Sequence, residues 1–545
     1  MESSKDNTSL DLLSDRMEQL EKRILSIENR LELKNVSETL EDNKPAKVFE
    51  TDEERDERYE STIGQSWMAL IGTIVITTGL CFSLSLSYES LPAIIPPLIG
   101  FVLTLGMLGL SFYTRDSYAN ISKYLVGGAM LLFYFSTLRL HFFVIEPVTQ
   151  SLSLEIFLLT AVTVINILIS LSKKSIYLFC LSLSFGFVTI LINPDPVFMF
   201  ASLTVMVSLS VFIQLKFSWE KVTFFFMPLT YLSHLLWFIL HHISPETNTE
   251  VTSVFVHSFF ISIYSTIFFS GIINRKEAQP ETISIASYFF FNSGLVLLVT
   301  FIIINTMKAE NYAANYFLTS ILFIAFAVIL WVKEKSEYST FFNAMAGYFA
   351  LSLAIISLKI PNYLIWLCWQ SLLVTATAVW FRSKFIVVAN FFIYAIVLLA
   401  YYITTAGVTL VDLSFGIVAL TSARILNWNK DRLELKTEQM RNVYLISAFF
   451  ALPYTFYFTV PEYFISISWI ALAVVYYTLS LVLNNRKYRW MSIYTFLLTL
   501  VYVAVIGLTS HDNTYKIISF LALGVTLIAI SIIYTKRKVK NKIIV

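Results

Sequence analysis

The sequence predicts an all-α integral membrane protein, a polytopic bundle of about eighteen transmembrane helices behind a short N-terminal cytoplasmic coiled-coil helix. Three observations carry this expectation. Of 545 residues, 57% are hydrophobic and only 14% are charged, against about 45–50% and about 25% in a soluble chain. The mean hydropathy is +0.69. Apolar runs of about 20 residues, the length a helix needs to cross hydrocarbon, recur along almost the whole chain. An ordinary soluble enzyme is excluded.

The chain reads as three parts. In residues 1–34, Leu10, Leu13, Met17, Leu20, Ile24, Ile27 and Leu31 are spaced alternately by three and four, an a/d heptad stripe, with charged residues between them. This predicts an oligomerisation helix or a partner helix. The alternative is one amphipathic helix lying on the membrane. Residues 35–63 are acidic, contain Pro45 and lack apolar periodicity, as a flexible linker does. Residues 64–545 form the polytopic domain. No apolar signal segment begins the chain, so the head is expected in the cytoplasm.

The spans are read from Trp67–Tyr88 to Ile517–Tyr534. Among them are a third at Ser122–Ile145, a fourth at Leu152–Leu171, a seventh at Lys221–Ile243, an eighth at Val251–Ile273 and a fourteenth at Thr405–Ile425. Charge tests the count. With the head inside and spans alternating, about 25 Lys and Arg fall in inside loops and the C-terminal tail. Only Lys308, Lys359 and Lys516 fall in outside loops. A missed span would invert every later loop, so both termini are expected in the cytoplasm. No continuous basic patch lies outside the membrane, which argues against a nucleic-acid partner. Cys81, Cys180 and Cys368 all sit in apolar runs and read as small buried residues.

Two segments, GQSWMALIGTIVITTGLCFSLSLSY with Trp67, Ile71 and Gly72, and SKYLVGGAMLLFYFSTLRLHFF with Gly127, Gly128 and Tyr134, resemble the first spans of a family. This is the domain-of-unknown-function 2339 family of bacterial multi-pass membrane proteins. SLSFGFVTILINPDP is similar to the family's Gly-Phe-x-x-Pro-Leu-Leu stretch, with Ile190 at the proline position, and SWEKVTFFFMPLTYLSHLLWF is similar to the span after it. The resemblance covers about residues 64–240. It implies the multi-pass architecture, the N-terminal coiled coil and a bacterial cytoplasmic (inner) membrane. It supplies no activity and no catalytic residues.

Ionisable side chains inside spans cost about 2.5–3.5 kcal/mol each on insertion scales and usually mark function. Arg139, Glu155 and Asp412 fall in the half of the membrane that the charge bias makes external. Arg139 is suited to an anionic ligand group, its charge offset by Glu155. The competing reading is an ion pair with Glu155 or Glu146 that snorkels to the surface. Asp412 reads either as a proton or cation site or as a hydrogen-bonded structural carboxylate. His234, His241, His242 and His257 lie on one predicted hairpin. They read as proton-relay candidates or as core and interfacial histidines, and they match no metal-ligand signature. Gly100 with Gly106, Gly127 with Gly128, and Ala344 with Gly347 predict close helix packing.

No nucleotide-binding, metalloprotease or nucleophile-elbow motif is present, and every loop is short, so no cofactor is expected. Membrane lipids and a second copy or a protein held by the coiled coil are the expected partners. Span number and the polar set favour a transporter or flippase for an anionic or lipid-linked envelope substrate. The alternatives are a scaffold or sensor working through the coiled coil, and an intramembrane transferase acting at the outer face.

Overall fold

The computed structural model describes residues 68–86, 91–143, 146–242, 252–274, 282–307, 312–404, 407–429, 433, 438–509, 521 and 524–525. The heptad stripe from Leu10 to Leu31, the acidic linker and nearly all of the last expected span lie outside them.

The described residues form seventeen helices of sixteen residues or more and no strand. In chain order they are α1 (Met68–Ser85), α2 (Ile95–Thr114), α3 (Ala119–Leu138), α4 (Leu152–Ser172), α5 (Ile176–Ile192), α6 (Pro196–Phe217), α7 (Glu220–His242) and α8 (Val254–Ile273). They continue as α9 (Ile283–Met307), α10 (Ala313–Lys333), α11 (Glu337–Ser357), α12 (Tyr363–Trp380), α13 (Lys384–Thr404) and α14 (Leu413–Trp428). The last three are α15 (Glu438–Thr459), α16 (Ile465–Val482) and α17 (Arg486–Thr509). Fourteen helices among the described residues are long and apolar enough to cross a membrane, and α5 is a shorter apolar helix. The chain is a multi-pass helical membrane protein.

The polar residues inside these helices are accommodated in two ways. Serine and threonine hydroxyls donate back to the carbonyl four residues earlier, as Thr77 does to Thr73 at 2.7 Å and Thr104 to Gly100 at 2.9 Å. These hydroxyls are then not left bare in hydrocarbon. Longer polar side chains face other helices. In α13, Asn390, Tyr394 and Tyr401 are buried while Phe392, Ile396, Leu399 and Ile403 are exposed. The Asn390 amide reaches the Ser371 carbonyl and the Thr375 hydroxyl of α12, each at 2.9 Å.

Three hairpin turns share one device. Helices α4, α10 and α12 are followed by one residue and then by a basic residue in the left-handed region, Lys174, Lys335 and Arg382, with φ of 48°, 52° and 50°. A serine comes next in each case. Returning amides close the last carbonyls, Ser175 to Ser170 at 3.3 Å, Lys335 to Leu330 at 3.0 Å and Ser383 to Ala378 at 3.1 Å. The strain of a side chain in this region is offset by those bonds and by a cation at the negative helix end.

The chain divides into two compact units, 1–182 and 183–545, with the division inside α5. In the first unit α3 is central and packs against α1, α2 and α4. In the second, α6–α11 form two rows of three, with hairpin mates α6/α7, α8/α9 and α10/α11 facing across the rows. α6 and α9 therefore each pack against both α7 and α8, while α7 and α8 scarcely touch and lie diagonally across the group. Prolines lie inside α7 (Pro228) and α15 (Pro453).

Of the small residues singled out for packing, Gly106 has open space around it, whereas Gly128 and Gly347 are at close approaches. A Cβ on Gly347 would stand 2.7 Å from Ile324 Cγ1 and 3.1 Å from the Ile324 backbone nitrogen. The Gly347→Val substitution is therefore expected to push α10 and α11 apart and to cost about 1–3 kcal/mol. A lower midpoint in thermal unfolding of the detergent-solubilised protein would register it, and an unchanged midpoint would contradict the packing.

Candidate functional site

The most unusual polar contact lies at the diagonal of the α6–α9 group. His234 of α7 and His257 of α8 are 0% and 2% exposed, and His234 Nε2 lies 3.0 Å from His257 Nδ1. The α6 and α9 helices hold these two helices apart at the distance their imidazoles bridge. Phe200 of α6 packs on both rings, with centroids at 5.7 Å and 5.3 Å, and it stacks in turn on Phe260. Phe238 and Tyr264 complete the walls.

Chemically, one imidazole must donate and the other accept in this contact. His234 Nδ1, on the far side of its ring, is buried without a hydrogen-bond partner. Leaving such a nitrogen unpaired costs about 1–3 kcal/mol. Two rings that share one hydrogen bond exchange roles only when a second proton enters or leaves at an outer nitrogen, and the unpaired His234 Nδ1 is such a nitrogen.

A second polar crossing spans the same core one turn along α7. The Tyr231 hydroxyl donates to Asn292 Oδ1 of α9 at 2.7 Å, and the Asn292 amide donates to Ser265 Oγ of α8 at 3.0 Å. All three residues are fully buried. Tyr264, one residue before Ser265, touches the His234 ring at 5.9 Å between centroids. The polar side chains thus form a column in the middle of an aromatic core. Tyr231, Ser265 and Asn292 were not singled out by sequence, because isolated hydroxyls and amides recur in nearly every span.

The other two histidines lie elsewhere on α7. His241 stacks on Trp237 at 4.8 Å, and its Nδ1 lies 3.0 Å from the Trp237 carbonyl. His242 closes the helix. His241 takes no part in the contact between His234 and His257. Among the described residues, no group of three or more His, Cys, Asp or Glu is placed to hold a metal ion.

Arg139 and Glu155 lie in the first unit. The apolar run predicted Arg139 inside a span, but α3 ends at Leu138 and Arg139 is its C-cap. The guanidinium takes up carbonyls both at the end of α1 and in the turn after α3. Nε donates to the Leu84 carbonyl, one terminal nitrogen to Phe142 (3.2 Å) and Phe143, and the other to Leu86 (3.1 Å). Arg139, 2% exposed, therefore ties the end of α1 to the turn after α3.

Glu155, in the first turn of α4, is 0% exposed. One carboxylate oxygen accepts the Thr149 hydroxyl at 3.0 Å, and the other has no hydrogen-bond partner. The Thr149 carbonyl lies 2.7 Å from His141 Nδ1, and the His141 ring is close enough to act on the Glu155 charge. The carboxylate thus holds the α3–α4 loop.

Asp412, expected about two turns inside a span, stands at the start of one. It closes a short 3-10 turn, Leu410–Asp412, directly before α14. Its carboxylate accepts the Thr409 amide and, at 3.3 Å, the Thr409 hydroxyl. The charge sits at a helix N-terminus, where the dipole favours it. The Asp412→Ala substitution is expected to cost about 1 kcal/mol through loss of the cap, while Asp412→Asn keeps most of it. Thermal midpoints of the two variants, ranked wild type, Asn, Ala, would bear this out; an Ala variant as stable as wild type would not.

No family model, no curated protein and no solved structure matches the chain. The resemblance to the domain-of-unknown-function 2339 family is neither supported nor overturned by these comparisons.

Proposed function

We propose that the chain is a proton-coupled transporter or flippase of the bacterial cytoplasmic membrane, moving an anionic or lipid-linked envelope substrate, with His234 and His257 as its proton-handling pair. The observation that carries this reading is the buried 3.0 Å contact between the two imidazoles, with an unpaired nitrogen behind it. Ionisable side chains kept in a membrane interior at a cost are characteristic of proton relays in pumps and transporters. Histidine is the side chain best matched to repeated proton exchange near neutral pH.

In this reading eighteen spans place both termini in the cytoplasm, and the heptad helix 1–34 joins copies or recruits a partner. Arg139, Glu155 and Asp412 hold helix ends and loops in place within their own units.

The test is a mass-spectrometric profile of lipids and lipid-linked glycans in cells lacking the gene and in cells restored with wild type. Accumulation of an unmodified precursor, reversed by the wild-type gene, is the expected result. A missing modified product would favour a transferase instead. An unchanged profile would favour a scaffold and would overturn the transport reading.

A further inference from the structure

Helix α7, which carries Pro228, borders a cleft of about 630 Å³ between its first half, α8 and α9. The charge bias of the sequence makes the side on which α7 begins the cytoplasmic one. Its mouth holds two opposite charges, Glu220 and Lys221, at the beginning of α7. The rest of its lining is mainly apolar, Phe224 and Leu229 included, with Ser284 and Tyr288 as the other polar residues. The Tyr288 hydroxyl donates to the Phe268 carbonyl at 3.0 Å, so that group is already taken up. Pro228 sits in the wall. It has no N–H to make the helix bond at this point.

An apolar slot topped by one carboxylate and one ammonium complements an amphiphile with an acyl chain and a headgroup of one cation and one anion. We infer that the cleft binds a phospholipid with a primary-ammonium headgroup, an ethanolamine phospholipid, from the cytoplasmic leaflet. The acyl chain lies against Phe224 and Leu229, the phosphate meets Lys221, and the ammonium donates to Glu220. A quaternary headgroup has no N–H for the carboxylate, and an anionic headgroup meets repulsion from it. This inference stands independently of the transport reading.

A second cleft supplies an internal comparison. It has a volume of about 420 Å³ and is bordered by Pro453 of α15 together with Tyr402, Tyr454, Tyr457 and Trp469. None of its lining residues is charged, so it should not discriminate between headgroups.

The experiment uses the full-length protein in lipid nanodiscs. These are doped with trace phosphatidylethanolamine, phosphatidylcholine or phosphatidylglycerol carrying the same photoactivatable acyl chain, and crosslinks are mapped by mass spectrometry. Ethanolamine lipid is expected to label α7 and α9 peptides about two- to fivefold more than the other two, the range an exposed charge pair supports. Peptides at the Pro453 cleft should label equally with all three. Glu220→Gln, at an exposed position, should reduce the ethanolamine lipid to the level of the choline lipid. Leu229→Trp should fill the cleft and suppress labelling there by every lipid. Equal labelling by the three lipids at α7, a preference for the glycerol lipid, or labelling untouched by Leu229→Trp would each overturn the inference.

Discussion

Replacing Arg139 with methionine is expected to destabilise the first unit by about 2–4 kcal/mol. The side chain is 2% exposed and donates to the carbonyls of Leu84, Leu86, Phe142 and Phe143. Methionine fills similar volume but donates nothing, so four carbonyls lose a charged donor together. Hydrogen bonds to charged groups contribute about 1.5–3 kcal/mol each. Leu86 and Phe143 are themselves exposed, so water can recover part of that loss, and the sum is not additive. Lysine should not rescue the fold, because a compact ammonium cannot span carbonyls that a planar fork reaches in several directions. A lowered thermal midpoint and reduced monodisperse yield in detergent, for both Arg139→Met and Arg139→Lys, would bear this out. A variant that folds as wild type but loses function would instead place Arg139 in ligand binding.

The second large effect is expected at the histidine pair. His234→Gln and His257→Gln keep hydrogen-bonding groups of similar size but cannot gain or lose a proton in the working range. Both variants should fold and reach the membrane. Both should fail to restore the lipid-linked profile of cells lacking the gene, with a drop in rate on the order of a hundredfold or more if proton transfer is required. His241→Gln is the control, since His241 stacks on Trp237 away from the pair. Restoration by all three variants would assign the pair a packing role only.

Much of the architecture was legible because hydropathy and helix length are the same constraint in a bilayer. The fourth expected span, Leu152–Leu171, and α4, Leu152–Ser172, differ by one residue. The expected limits failed where apolar sequence continues but the backbone turns. Ser122–Ile145 was read as one span because His141, Phe142 and Phe143 interrupt hydropathy little. The helix nevertheless stops at Leu138, where Arg139 diverts to carbonyls on both sides. Asp412 was misplaced for a similar reason, since a cap and an intramembrane carboxylate look alike in a hydropathy trace.

The histidine pair was half legible. Their rarity in apolar runs marked His234 and His257 and placed them on one hairpin, but spacing along the chain does not say which of the four histidines meet. Pairing depends on α7 and α8 sitting diagonally between α6 and α9. That arrangement follows from the packing of four helices and leaves no trace in the spacing of two. The Tyr231–Asn292–Ser265 crossing is hidden in the same way, because its three members come from three helices.

The central claim is that protons pass through the His234–His257 pair as substrate moves. Its most direct test uses vesicles containing the purified protein and an internal pH-sensitive dye, to which the precursor that accumulates in gene-deficient cells is added. The account predicts a substrate-dependent pH change with wild type and with His241→Gln, and none with His234→Gln or His257→Gln. A pH change of undiminished size in both pair variants, or no proton movement accompanying substrate transport by the wild type, would contradict it.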